Sequence, residues 1–200
     1  MLAPDDACTF TASGAVRTIG YLDVGIPGNH YDAFLLYQNQ LLNLSRNGVT
    51  GFPVMADPNV MQVEAVEVEI RDIGNNPLGF TGPNPFTIPS GGSAVPSGDG
   101  DAAGVGIGSA QLVPPAYVAE LGAVAGDDAT IVISVKAIGH TAGGAEVVSD
   151  EFIYPIQLCR DCLSTCLTDD MGENICLPAC QPGQDDLHVA CDATCRAGTT

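Results

Sequence analysis

A chain of 200 residues with 46% hydrophobic content is long and apolar enough for one ordinary domain plus an appendage, which excludes disorder throughout. Its 24 acidic residues against 6 basic ones give a net charge of −18, a field that repels phosphate backbones and anionic lipid surfaces and sets nucleic-acid binding aside. With 24 glycines, 14 prolines, no tryptophan and no apolar run long enough to span a bilayer, the composition favours turns and short strands, and no transmembrane segment is expected.

Between residues 15 and 158 the apolar positions recur mostly at period two between turn clusters, the pattern of half-buried strands. It predicts strands near 17–25, 31–37, 60–72, 85–88, 104–113, 129–139 and 146–158. In the third, Met61, Val63 and Ala65 are apolar at odd positions but Val66, Val68 and Ile70 at even ones. A β-bulge near Ala65–Val66 keeps both sets on the core, with Glu64, Glu67, Glu69 and Arg71 on a solvated face rather than forming a catalytic pair. Residues 73–103 are rich in Gly, Pro, Asn and Ser and read as a long surface connection around one short strand. PPAYVAEL, residues 114–121, allows one short helix with its prolines in the first turn. GHTAGG reads as a hairpin turn, after which Val148, Phe152, Tyr154, Ile156 and Leu158 share one face, with Asp150 the exception. About seven strands make this an all-β chain: an immunoglobulin or fibronectin type III-like β-sandwich over 15–158, behind an N-terminal segment 1–14.

At Leu158 the alternation stops and a cysteine-rich tail, 159–200, begins. Cys159, Cys162, Cys166, Cys176, Cys180, Cys191 and Cys195 lie in it, and Cys8 stands far upstream. A structural zinc site shows two C-x2-C knuckles or a knuckle with a histidine pair; only Cys159–Cys162 fits, with His188 nearby. A thioredoxin-like role for that pair lacks a βαβ setting. Disulfides are the reading, since a tail of few large apolar side chains cannot build its own core and cross-links restrict the unfolded chain instead. Eight cysteines allow 105 connectivities. The paired C-x3-C units suggest Cys176 with Cys195 and Cys180 with Cys191, leaving Cys8 to reach one of Cys159, Cys162 and Cys166. This cysteine usage points to an oxidising compartment. MLAPDDACTF has neither a basic nor an apolar leader region, so a removed export signal is expected.

No catalytic set is visible. His30 and His140 fall in predicted turns and His188 in the tail, and no G-x-S-x-G elbow occurs. No cofactor is expected, with calcium the one candidate: Asp99 and Asp101 in SGDGDAAG offer hard oxygen ligands without matching an EF-hand.

GYLDVG, YDAFLLYQNQLLN, VEAVEVEI, VKAIGHTAGGAEVVSDEFIYPIQLCRDCL and CQPGQDDLHVAC, in this order, resemble a family of secreted or lipid-anchored proteins of myxobacteria and their relatives. The likeness spans about residues 8–195 and rests on G-x-T-x-GG-x-E-V-x-S-x-EF-x-x-PI, C-x-x-CL and C-x-x-GQD. It implies export and an outer-membrane or cell-surface address, and carries no activity over. Cys8 follows DDA rather than a lipobox. The function expected is therefore a non-enzymatic extracytoplasmic structural or binding module, meeting a protein, a cell-surface glycan or copies of itself. Its rivals are a self-assembling subunit that exchanges a strand, donated by the segment before residue 15, and a carbohydrate-active or other hydrolase with an atypical site.

Overall fold

The computed structural model describes residues 1–5, 7–12, 14–43, 57–91, 94–98, 102–165, 180–181, 183–185 and 188–189, with 164–165 and 188–189 as backbone alone. Its elements are β1 (Gly20–Asp23), β2 (Tyr31–Asn39), β3 (Met61–Asp72), β4 (Phe86–Pro89), β5 (Ala94–Val95), β6 (Gly104–Val113), α1 (Pro115–Val124), β7 (Thr130–Thr141), β8 (Glu146–Val148), β9 (Phe152–Cys159), β10 (Ser164–Thr165) and β11 (His188–Val189). The fold is all-β with one short helix. Among the described residues, no helix is long and apolar enough to cross a membrane.

The main sheet runs β1-β9-β7-β3-β4, with β5 also on β3 and β8 also on β7. Within it β1 and β9 pair in parallel, and the other pairs are antiparallel. A separate antiparallel ribbon, β2–β6, makes the second layer. Period-two alternation sends Val66, Val68 and Ile70 of β3, Ile131 and Ile133 of β7, and Ile156 and Leu158 of β9 into one buried cluster with Tyr31, Ala33 and Leu112 of the ribbon. Each large aliphatic side chain so buried contributes about 1.5–3 kcal/mol. The helix starts with Pro115 in its first turn and adds Val118 and Leu121 to the core. Tyr117 stacks on Phe86 at 4.6 Å and meets Phe80 edge-on at 4.9 Å, while its hydroxyl donates to the Pro83 carbonyl at 2.6 Å. The glycine- and proline-rich connection is thereby pinned to the helix.

The predicted bulge is present one residue earlier than expected. Val63 pairs with Gly139 and Ala65 with Ile138, so Glu64 is the extra residue, and Val63, Val66, Val68 and Ile70 are all buried. The kink brings the Gln62 carbonyl onto Gly139, where any Cβ would overlap it. A second bulge corrects the single strand predicted over 146–158. Val148 pairs with Ile138 and Phe152 with Val135, so residues 149–151 face only two residues of β7. Ser149 fills the gap: its N–H donates to the Ala137 carbonyl and its Oγ accepts from the Ala137 N–H, both at 2.9 Å. The extra residue reverses the alternation, so Val148 is 61% exposed and does not share the face of Tyr154 and Ile156. Asp150, the predicted exception, lies inside this bulge.

Further corrections follow from the register. The first strand covers only four residues of the predicted 17–25. His140 lies within β7 rather than in the turn, 3.2 Å from Glu64. Glu69 and Arg71 are not freely solvated. The Arg71 guanidinium donates to Glu69 through Nε at 2.7 Å and lies 3.0 Å from Glu151, so the three form a partly buried charge network. Its stabilising hydrogen bond to Glu69, with both neighbouring charges, raises the Arg71 pKa further.

Candidate functional site

The motif segments meet at one end of the β1 edge. Asp23, the last residue of β1, is fully buried. Its Oδ1 accepts from the backbone N–H groups of Gly25 and Asp161, each at 2.8 Å, and its Oδ2 from that of Leu163 at 2.9 Å. A carboxylate taking three amide donors is well compensated for its burial, and it fixes the turn that carries Cys159 and Cys162. Those two cysteines form a disulfide. The Asp23 carboxylate and both sulfurs lie within 4.8 Å of one another, the one such group among the described residues whose donors could hold a metal, with the sulfurs here bonded to each other.

The segment Gly183–Asp185 lies along the outer edge of β1. Leu22 bridges to Gln184, the Asp23 N–H donates to the Gly183 carbonyl at 3.0 Å, and the Asp185 N–H donates to the Tyr21 carbonyl at 2.9 Å. Gly183 adopts φ +77°, a left-handed conformation that suits glycine. Asn29 reinforces the junction, its Nδ2 donating to the carbonyls of Asp23 and Gly183 at 2.8 Å each. Gln184 reaches across to β2, accepting the Asp32 N–H at 2.6 Å and donating to the Asp32 carbonyl. Asp185 accepts from the Tyr21 N–H and from the Tyr31 hydroxyl, both at 2.7 Å, and pairs with Arg17 at 2.6 Å. An otherwise open strand edge is thus covered by the chain's own tail.

The phenols beneath the clasp are perturbed. Burial, reinforced by the Asp185 charge, pushes the Tyr31 pKa far above the usual phenol range, and burial pushes that of Tyr154 up to about 12. Both stay protonated at neutral pH, so Tyr31 donates to Asp185.

Cys8 joins Cys180, next to the clasp. This corrects two sequence expectations: Cys8 does not pair with Cys159, Cys162 or Cys166, and Cys180 does not pair with Cys191; Cys159 is bonded to Cys162 within its own turn. The tail cannot be bonded only to itself and to the end of the last strand, because position 180 sits beside the N-terminal segment. Cys166, Cys176, Cys191 and Cys195, and the calcium candidates Asp99 and Asp101, lie outside the described residues. The N-terminal segment is held in cis, with Met1 and Leu2 buried and the Leu2 N–H donating to the Phe34 carbonyl of β2 at 2.9 Å.

Between ribbon and sheet, on the side away from the helix, a cavity of about 500 Å³ opens to solvent. Its walls include Leu35, Met61, Val63, Val135, Ala137 and Phe152. The exposed polar residues Gln38, Gln40, Ser149 and Asp150 lie at its mouth. Glu151 also borders it, but its carboxylate accepts from the Ser134 hydroxyl and pairs with Arg71. The Ser134 hydrogen bond, with the Arg71 charge, holds the Glu151 carboxyl below the usual carboxylate range, the opposite of what a general acid needs. The Asp150 carboxylate makes no hydrogen bond or ion pair among the described residues.

Sequence reasoning missed the cavity, which five separate elements assemble, and it missed Asp23, Gln184 and Asp185 as partners of distant backbone. The available signals were the GYLDVG and GQD motifs themselves. No protein-family model, no curated protein and no solved structure matches this chain.

Proposed function

We propose that this chain is a non-enzymatic, extracytoplasmic binding module of the cell surface, built on an immunoglobulin-like β-sandwich. The strand path supports the architecture: β1-β9-β7-β3-β4 facing β2–β6 corresponds to the variable-type arrangement in which a five-strand sheet, its first strand parallel to its last, covers the second and a later strand. Two disulfides among the described residues suit an oxidising compartment. The likeness of GYLDVG, C-x-x-CL and C-x-x-GQD to secreted and lipid-anchored myxobacterial proteins points to the same address.

The observation that carries the binding role is the open, largely apolar cavity in a frame whose motif side chains are spent on the frame itself. Titration of the purified, oxidised chain with a neutral apolar dye such as Nile red tests it. One dye per chain is expected, with binding weakened at least tenfold by Gln40→Trp at the exposed mouth. Dye binding untouched by that change, or none at all, would sink the reading. Antibody labelling of intact producing cells tests the address, and labelling seen only after lysis would refute it.

A further inference from the structure

We infer that the cavity receives the hydrocarbon chain of a cationic amphiphile and holds its ammonium group at Asp150 and Phe152; this rests on the cavity being the binding site proposed above. Most of the walls are aliphatic, aromatic and thioether side chains, which favour an apolar chain by burial, and the Glu151 carboxylate that also borders them is held by Ser134 and Arg71. The volume of about 500 Å³ lies in the ordinary range of small-molecule sites.

The mouth sets the sign. Asp150 is exposed there with its carboxylate uncommitted among the described residues, and Phe152, 41% exposed and two residues on, lines the same cavity with an aromatic ring. A carboxylate beside a ring attracts a quaternary or primary ammonium by charge and by the ring quadrupole. No lysine or arginine side chain borders the cavity. The basic side chains of the surrounding elements are engaged elsewhere: Arg71 with Glu69 and Glu151, Lys136 with Glu67, Arg17 with Asp185 and Gln181. The α-amino group of Met1 faces the Arg17 carbonyl at 3.4 Å, and burial lowers its pKa, which weakens it as an anion partner. An anionic head would meet Asp150 and the field of a chain of net charge −18, with the partly buried Met1 amine alone among the lining residues to offset them. A sugar head would meet the Gln38 and Gln40 amides and the Asp150 carboxylate but would bring no charge to pair with Asp150.

Calorimetric titration of the full oxidised chain with decyltrimethylammonium, decyl maltoside and decyl sulfate, each below its micelle concentration, decides the matter at about 0.15 M salt. One ammonium amphiphile per chain is expected, bound at least tenfold more tightly than the sulfate and more tightly than the maltoside. In Asp150→Asn the preference over sulfate should shrink below threefold. That variant removes one charge out of a net eighteen, so a preference arising from the overall field would survive it. Gln40→Trp and Ala137→Phe should weaken all three at least tenfold; Gln40 is exposed, so its variant keeps the test valid if Ala137→Phe fails to fold. Equal affinity for maltoside and ammonium, or a preference unchanged in Asp150→Asn, would overturn the head-group assignment while leaving the cavity as a binding site. Failure of all three to bind would remove the binding reading with it.

Discussion

The Asp185 carboxylate accepts a 2.7 Å hydrogen bond from the Tyr31 hydroxyl across 154 residues of chain, and the same oxygen lies 2.6 Å from Arg17. The clasp thus closes on a side chain from the ribbon and on a cation from the N-terminal segment. Asp185→Asn keeps the size and removes the negative charge that faces the Arg17 guanidinium. A loss of about 2 kcal/mol is expected for breaking a partly buried, hydrogen-bonded pair. That corresponds to a melting temperature lower by roughly 4–8 °C in a chain of this size, read by circular dichroism. A shift under about 1 °C would mean the clasp is not coupled to the rest of the fold.

Alkaline pH should destabilise the fold through Tyr31 and Tyr154. Both phenols have raised pKa values in the folded state, so the unfolded chain releases these protons first. The stability they contribute is complete below the ordinary phenol pKa near 10 and declines as pH rises above it, by about 1.4 kcal/mol per pH unit for each tyrosine. Urea midpoints measured from pH 9 to 11.5 should fall steeply above pH 10, and Tyr31→Phe should make the fall shallower without abolishing it, because burial also raises Tyr37 and Tyr117. Equal slopes in wild type and variant would contradict the buried-phenol account.

The Cys8–Cys180 disulfide closes a span of 172 residues, for which the chain-entropy model gives about 5 kcal/mol before native strain is subtracted. Cys8→Ser should lower the melting temperature and release one reactive thiol, which peptide mapping after alkylation should place at Cys180. Recovery of the label at Cys159 or Cys162 instead would refute the pairing.

Glu64 is the supernumerary residue of the β3 bulge, so its deletion leaves Val63 opposite Gly139 and Ala65 opposite Ile138. The alternation then becomes regular and the buried set stays buried. The deletion loses the hydrogen bond from the Ser90 N–H to the Glu64 carbonyl, worth about 1 kcal/mol. Deleting Glu67 instead slips the rest of the strand by one and turns buried side chains outward. The Glu64 deletion should fold and the Glu67 deletion should not, by circular dichroism and proteolysis; two equally folded proteins would refute the bulge assignment.

The parts of this fold legible in the sequence are those carried by local periodicity. Met61 to Ile70 announce a strand and its parity change because the register error sits inside a single apolar run, and Pro114–Pro115 mark the helix start through local backbone chemistry. The bulge at Ser149–Glu151 was half legible: Asp150 broke the pattern, but a polar exception and an inserted residue look alike without the partner strand. Asp23 and Gln184 were opaque for a different reason. Their partners are backbone groups of segments 138 and 152 residues distant, and a polar side chain gives no sign of which distant amide it will meet. Cysteine pairing fails in the same way, since spacing within the tail says nothing of an N-terminal partner.

The parallel pairing of β1 with β9 also orders events in time. Gly20 meets Ile156, and the outer side of Leu22 waits for Gln184. A ribosome delivering this chain from its N-terminus releases β1 long before either neighbour exists, and contacts of such sequence separation form slowly. The first strand therefore stays unpaired on both sides until most of the chain has emerged. Over that interval it is an adhesive segment that needs a chaperone or dilution, and a chain cut short before residue 180 would keep that exposure permanently on one side.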